Sequence, residues 1–168
     1  MWIVKFADLL GLFFFYVVGF RKEVIRENLR KAYKNKISEE EIKRLTIQNY
    51  QHYANVLFEI ICSTTWNKKD YKKNVEIHGL ELLEPLMREE KGAFILTSHL
   101  GNWEFSIGAV SAAGIPIDVV VKKSQTKAVE SFLQWFRRKN GARIYLESET
   151  AKDILRALNE GRFVGVIL

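Results

Sequence analysis

From Ala93 onward the chain alternates short β-branched or apolar runs with longer helical segments, and this alternation restricts the fold more than any other feature. Ala93–Thr97 (AFILT), Ile117–Val121 (IDVVV), Ala142–Leu146 (ARIYL) and Phe163–Leu168 (FVGVIL) have the length and texture of strands. The segments Asn102–Ala113, Thr126–Lys139 and Glu149–Asn159 between them read as helices, stopped by Gly114, Gly141 and Gly161 respectively. Such an order predicts an α/β fold with a mostly parallel sheet covered by helices. Ligands of such sheets bind beyond the carboxyl ends of the strands, so the residues just after Thr97 are the first place to look for chemistry.

The residues before Ala93 are organised differently. Ser38-Glu39-Glu40-Glu41 reads as a capping box, and a helix is expected from there to about Ile61. Val75–His78 reads as a short strand closed by Gly79, and Leu80–Glu90 as a helix that Pro85 must kink or start. Leu9–Phe20 (LLGLFFFYVVGF) is uncharged and mostly apolar, and a basic stretch from Arg21 to Lys36 follows it. As a helix the run is roughly 18 Å long against a hydrocarbon core of about 30 Å, which is short for a span. An apolar run followed by cations reads as a membrane-anchor helix held at an anionic, cytoplasmic leaflet. The expected organisation is an anchor over residues 1–20, a basic helical segment over 21–74 and an α/β core over 75–168. The chain stops inside its last apolar strand, so the core is expected to be truncated and the 168 residues alone to be an incomplete enzyme.

The formal net charge of +6 suits nucleic acid, an anionic membrane, or an acidic protein or lipid. A nucleic-acid module needs basic residues interleaved with aromatics on one face, and the basic stretch contains only Tyr33. No nucleic-acid partner is therefore expected. Cys62 is the only cysteine, which excludes an intrachain disulfide and any multi-cysteine metal site. His52, His78 and Cys62 are too scattered to suggest a metal, and no cofactor is expected.

Ser98-His99-Leu100-Gly101-Asn102-Trp103-Glu104 carries the most chemical information. Histidine is the default general base near neutral pH, and a carboxylate can fix its tautomer and stabilise the imidazolium. On a continuous helix, five residues correspond to about 500° of rotation, which leaves the two side chains roughly 140° apart. They can meet only across a turn, which Gly101 can supply, with Asn102 capping the next helix and Glu104 in its first turn.

This heptad resembles the HxGNWE motif of the bacterial lipid A biosynthesis acyltransferases, the lauroyl and myristoyl transferase family. Arg21, Val24, Asn28 and Leu29 resemble the family's early R-x-x-V-x-x-x-N-L segment. Gly79-Leu80-Glu81, Arg137 with Gly141, and Leu158-Asn159-Glu160-Gly161 resemble later segments, in the right order. The resemblance implies a glycerolipid-acyltransferase-like fold. It also implies transfer of a fatty acyl chain from an acyl-carrier-protein thioester to a hydroxyl of a lipid A precursor, in lipopolysaccharide synthesis at the membrane. It makes His99, Glu104 and Arg137 the catalytic candidates, with Arg137 steadying an oxyanion or a phosphate. Asn102, Lys122 and Arg138 are the substrate-binding candidates. Two departures stand out. Val121-Lys122-Lys123 lies where the family usually has an arginine, and lysine keeps the charge but loses the bidentate fork. The family also continues from the strand that corresponds to Phe163–Leu168 into an acidic segment and a substantial C-terminal portion, none of which is in these 168 residues. The rival enzyme reading is a glycerolipid (lysophospholipid) acyltransferase, and a non-catalytic remnant is a third possibility.

Overall fold

The structure is a computed structural model that describes residues 2–124, 126–147 and 151–167. The chain divides into two compact units, Met1–Cys62 and Ser63–Leu168.

In the first unit α1 (Trp2–Phe13) runs into a π-helical turn, Phe14–Val18, which Gly19 ends in the left-handed conformation. Helices α2 (Lys22–Ala32) and α3 (Glu39–Ser63) follow. Ser38 caps α3 by accepting the Glu41 N–H at 3.2 Å. Arg44 engages the Glu41 carboxylate at the next turn. Helix α1 lies close on α3 because Gly11 has no side chain; a Cβ there would stand 2.6 Å from the Gln51 Cα. Asn55 donates to Asp8 at 2.7 Å, and Phe15 is fully buried against the Tyr50 ring. The expected apolar N-terminal helix is therefore present, but no helix among the described residues is long and apolar enough to cross a membrane.

In the second unit the expected strands form: β1 (Ala93–Thr97), β2 (Ile117–Val121), β3 (Arg143–Leu146) and β4 (Phe163–Ile167). All are parallel, in the order β1-β4-β2-β3. Phe163 and Val164 of β4, a central strand, are fully buried, as a strand covered on both faces requires. One sheet face packs Ile117, Val119, Val121 and Phe163 against Ile107 of α6 (Trp103–Ala112). The alternate residue Asp118 is buried and is neutralised by a forked contact from Arg162, with Tyr145 Oη donating at 3.1 Å. The remaining connections are α7 (Lys127–Lys139) and α8 (Ala151–Asn159).

Two stretches depart from expectation. Val75–His78 is not a strand. Val75 ends α4 (Lys68–Asn74), and Val75 and Ile77 spend their apolar surface against the Tyr71–Ala109 cluster instead of a sheet edge. Leu80–Glu90 splits into a 3₁₀ turn, Leu80–Leu82, and α5 (Glu84–Arg88), because Pro85 has no N–H and fits only the first turn of a helix. Helix α4 itself carries a full Asn67–Asp70 capping box that the sequence reading passed over. The first residues of the expected helix at 149–159, and Leu168 at the end of the last strand, lie outside the described residues.

Candidate active site

The parallel sheet brings the ends of β1 and β2 to one edge. After Thr97 the chain turns sharply: the Leu100 N–H donates to the Ser98 carbonyl at 2.7 Å, and Gly101 takes φ +58°. Asn102 then caps α6, its side chain accepting the Phe105 N–H at 3.1 Å. Asn102, expected to bind substrate, is thus seen positioning the helix that carries Glu104. Strand, histidine turn, glycine, cap and glutamate follow as the sequence implied.

The side chains meet differently. Glu104 is 5% exposed and Arg137 8%, and the two form a forked ion pair. Arg137 Nε donates to Glu104 Oε2 at 2.8 Å, and Nη2 donates to Oε1. Glu104 lies in the first turn of α6 and Arg137 in the last turn of α7, so each charge sits at the helix end that favours it. His99 is exposed, its ring edge-to-face with Trp103 at 4.8 Å between centroids. Among the described residues, Glu104 is bonded to Arg137 and no hydrogen bond joins it to His99. Glu104, Arg137 and Trp103 share the wall of a largely apolar cavity of about 230 Å³ between α6 and the sheet. Its floor includes Ile95, Val119 and Val121.

Lys122 and Lys123 follow β2 and are exposed beside Leu146 and Glu147. Arg138 stands apart from the ion pair, exposed on α7 with Trp135 and Lys139. A continuous basic run therefore splits: Arg137 turns inward and its two neighbours remain outside. Among the described residues no cluster of His, Cys, Asp or Glu could hold a metal.

A family model of the bacterial lipid A biosynthesis acyltransferases matches residues 1–168, the whole chain. The chain belongs to that family. It is accordingly an acyltransferase of lipid A synthesis, acting on an acyl donor and a lipid A-type acceptor. A search of curated proteins finds no significant match.

One further residue of this acyltransferase escaped the sequence reading. Glu130 is buried on the face of α7 that carries Arg137, two turns away. It accepts the Ser124 N–H at 2.7 Å and the Gln134 side-chain amide at 2.6 Å. These bonds, the Ser124 N–H first, hold its carboxyl below the usual range, with help from Arg137 and Lys123. Glu130 thus ties the loop bearing Lys122 and Lys123 to α7. The only sequence signal was a lone glutamate in the first turn of a helix, which is ordinarily an exposed dipole contact.

Proposed function

We propose that this acyltransferase moves a fatty acyl chain from an acyl-carrier-protein thioester to a hydroxyl of a lipid A precursor, at the carboxyl edge of the sheet. The observation that carries the reading is the buried Glu104–Arg137 pair on the wall of an apolar cavity, with His99 at the turn beside it. An acyl chain is suited to the apolar lining, while the hydroxyl and the thioester carbonyl meet the polar rim. His99 takes the proton from the acceptor hydroxyl as that oxygen attacks the thioester carbonyl carbon. The tetrahedral intermediate then collapses, the C–S bond breaks, and the proton passes from His99 to the thiolate. The products are an ester and a free carrier thiol.

Glu104 favours the imidazolium that forms at His99. Each of its oxygens has a lone pair beyond the one that meets Arg137, so a His99 side chain turned inward finds an acceptor. Arg137 has N–H groups beyond the two given to Glu104 and can donate to the oxyanion or to an acceptor phosphate. Lys122, held near this edge by the Glu130 loop, serves as a second phosphate contact.

The N-terminal segment is proposed to lie in the cytoplasmic membrane interface. Phe6, Leu9, Tyr16, Val17 and Phe20 are exposed apolar or aromatic side chains, and the basic α2 follows them. The test of substrate class is to supply the protein with a lipid A precursor and an acyl chain on acyl carrier protein or on coenzyme A. Ester formation from the carrier-protein thioester supports the reading. Transfer only to a lysophospholipid, or only from coenzyme A, overturns it.

A further inference from the structure

The early segment Arg21, Val24, Asn28 and Leu29 has no role in the acyl-transfer steps proposed above. In the structure all four residues line one groove of about 1010 Å³ within the first unit. Its walls come from the π-helical turn, from α2 and from the middle of α3, where Tyr53, Ala54 and Leu57 contribute. The volume is at the top of the range of about 300–1,000 Å³ usual for small-molecule sites.

Arg21 sits at this groove in the left-handed conformation, φ 55° and ψ 21°. Non-glycine residues are uncommon there, and an observed outlier is a reason to ask what the position does. The turn is firmly held. The Gly19 N–H donates to the Phe14 carbonyl at 2.8 Å, the Lys22 N–H to Gly19 at 3.1 Å, and the Tyr50 hydroxyl to the Phe20 carbonyl at 2.5 Å. The other arginines of this region are paired, Arg26 with Glu23 and Arg30 with Glu39. Arg21 has no carboxylate among the described residues; its guanidinium lies 5.7 Å from the Phe20 ring centroid. Asn28 and Asn49 line the same groove with side-chain amides that make no hydrogen bond among the described residues. An apolar trough with an unpaired cation and two amides along it complements an amphiphile that has an anionic head and a hydrocarbon tail.

We infer that the groove lined by Arg21, Val24, Asn28 and Leu29 holds one acyl chain of an anionic bilayer phospholipid, its phosphate at Arg21. Asn28 and Asn49 meet the glycerol ester oxygens. Each methylene buried is worth about fourfold in affinity, so the tail supplies binding and Arg21 supplies headgroup preference. An anionic bilayer lipid is favoured over a second copy of the chain, which would carry the same excess of positive charge, because Arg21 is without a carboxylate partner among the described residues and Phe20 in the groove wall, with Tyr16 and Val17 of the preceding turn, is 64–69% exposed. Lys31, Lys34 and Lys36 extend the positive charge along the same segment. This inference rests on the interfacial reading of the N-terminal segment and not on the acyl-transfer reading.

The test uses vesicles of phosphatidylcholine and phosphatidylglycerol, with a photoreactive diazirine on the acyl chain of one lipid or of the other. Labelled peptides from the intact chain are then mapped. Phosphatidylglycerol should label Val24, Tyr53 and Ala54, whereas phosphatidylcholine labels mainly Tyr16 and Val17. Arg21→Asn removes the charge and suits the left-handed backbone. It should cut groove labelling by phosphatidylglycerol about tenfold, as loss of a charged hydrogen bond does, and leave labelling at Tyr16 and Val17. Leu57→Trp, at an exposed groove position, should block groove labelling by filling it. Equal groove labelling by both lipids, or groove labelling that survives Leu57→Trp, overturns the inference. So does displacement of the label by the lipid A precursor, or a dimer that masks the groove without lipid. Loss of labelling at Tyr16 and Val17 as well would overturn the interfacial reading on which it stands.

Discussion

At the residue scale, the pairing of Glu104 with Arg137 is the main departure from what the sequence suggested. Both positions were legible: Glu104 from its spacing after His99, Arg137 from its place four residues before Gly141. Their contact was not, because it joins side chains 33 residues apart on different helices and only the sheet topology brings these together. The exposed setting of Arg138 was equally invisible in a run of three cations. Removing one partner of a buried ion pair leaves a charge without compensation, which typically costs about 3–5 kcal/mol. Arg137→Ala should therefore lower unfolding free energy by about that amount, and Arg138→Ala by less than about 0.5 kcal/mol. Urea denaturation with unchanged slopes would measure both; equal losses would remove the reason for singling out Arg137. The Glu104→Leu/Arg137→Met double variant should recover most of the stability and none of the activity, since an apolar pair can replace a buried ion pair in packing only.

Glu130 adds a pH signature. Its folded pKa is depressed, so the stability it contributes is present above the ordinary glutamate range near about 4.3 and is lost as pH falls through the folded value. Glu130→Gln should flatten that part of the acid unfolding curve. An unchanged curve below about pH 4.3 would show that the bonds to Ser124 and Gln134 do not hold the carboxylate.

At the element scale, strand and helix periodicity carried most of the second unit. The four strand cores from Ala93 to Ile167 were readable because each apolar run is bounded by glycine or a cap. Val75–His78 misled because two alternating apolar residues also suit a connection lying on a helix. Helix α4 was missed because its seven residues, KKDYKKN, contain one apolar anchor, Tyr71. That anchor explains Gly108. A Cβ at Gly108 would stand 2.2 Å from Tyr71 Cζ, and Tyr71 is buried between Trp66 and Phe105. Two effects oppose in Gly108→Ala: about 1 kcal/mol gained in helix propensity, and about 1–3 kcal/mol or more lost to overpacking. With a ring that cannot move aside, the clash wins, and thermal unfolding should occur at lower temperature. A raised melting temperature would mean that α4 and α6 do not pack as described.

At the scale of the whole molecule, sequence composition pointed to a surface for anionic partners without choosing one, and the two units present different features. The second places an ion pair, a histidine turn and an apolar cavity at one sheet edge; the first exposes apolar side chains beside a basic helix. A protein lacking residues 1–20 should shift from the membrane to the soluble fraction, and full recovery in the membrane pellet would refute the interfacial assignment. The central claim is that acyl transfer occurs at the β1–α6 turn. Its most direct measurement is turnover of carrier-protein thioester and lipid A precursor by the protein carrying His99→Ala, alongside its circular dichroism. The account predicts an unchanged fold with turnover reduced about a hundred- to ten-thousand-fold; near-normal turnover by the folded variant would contradict it.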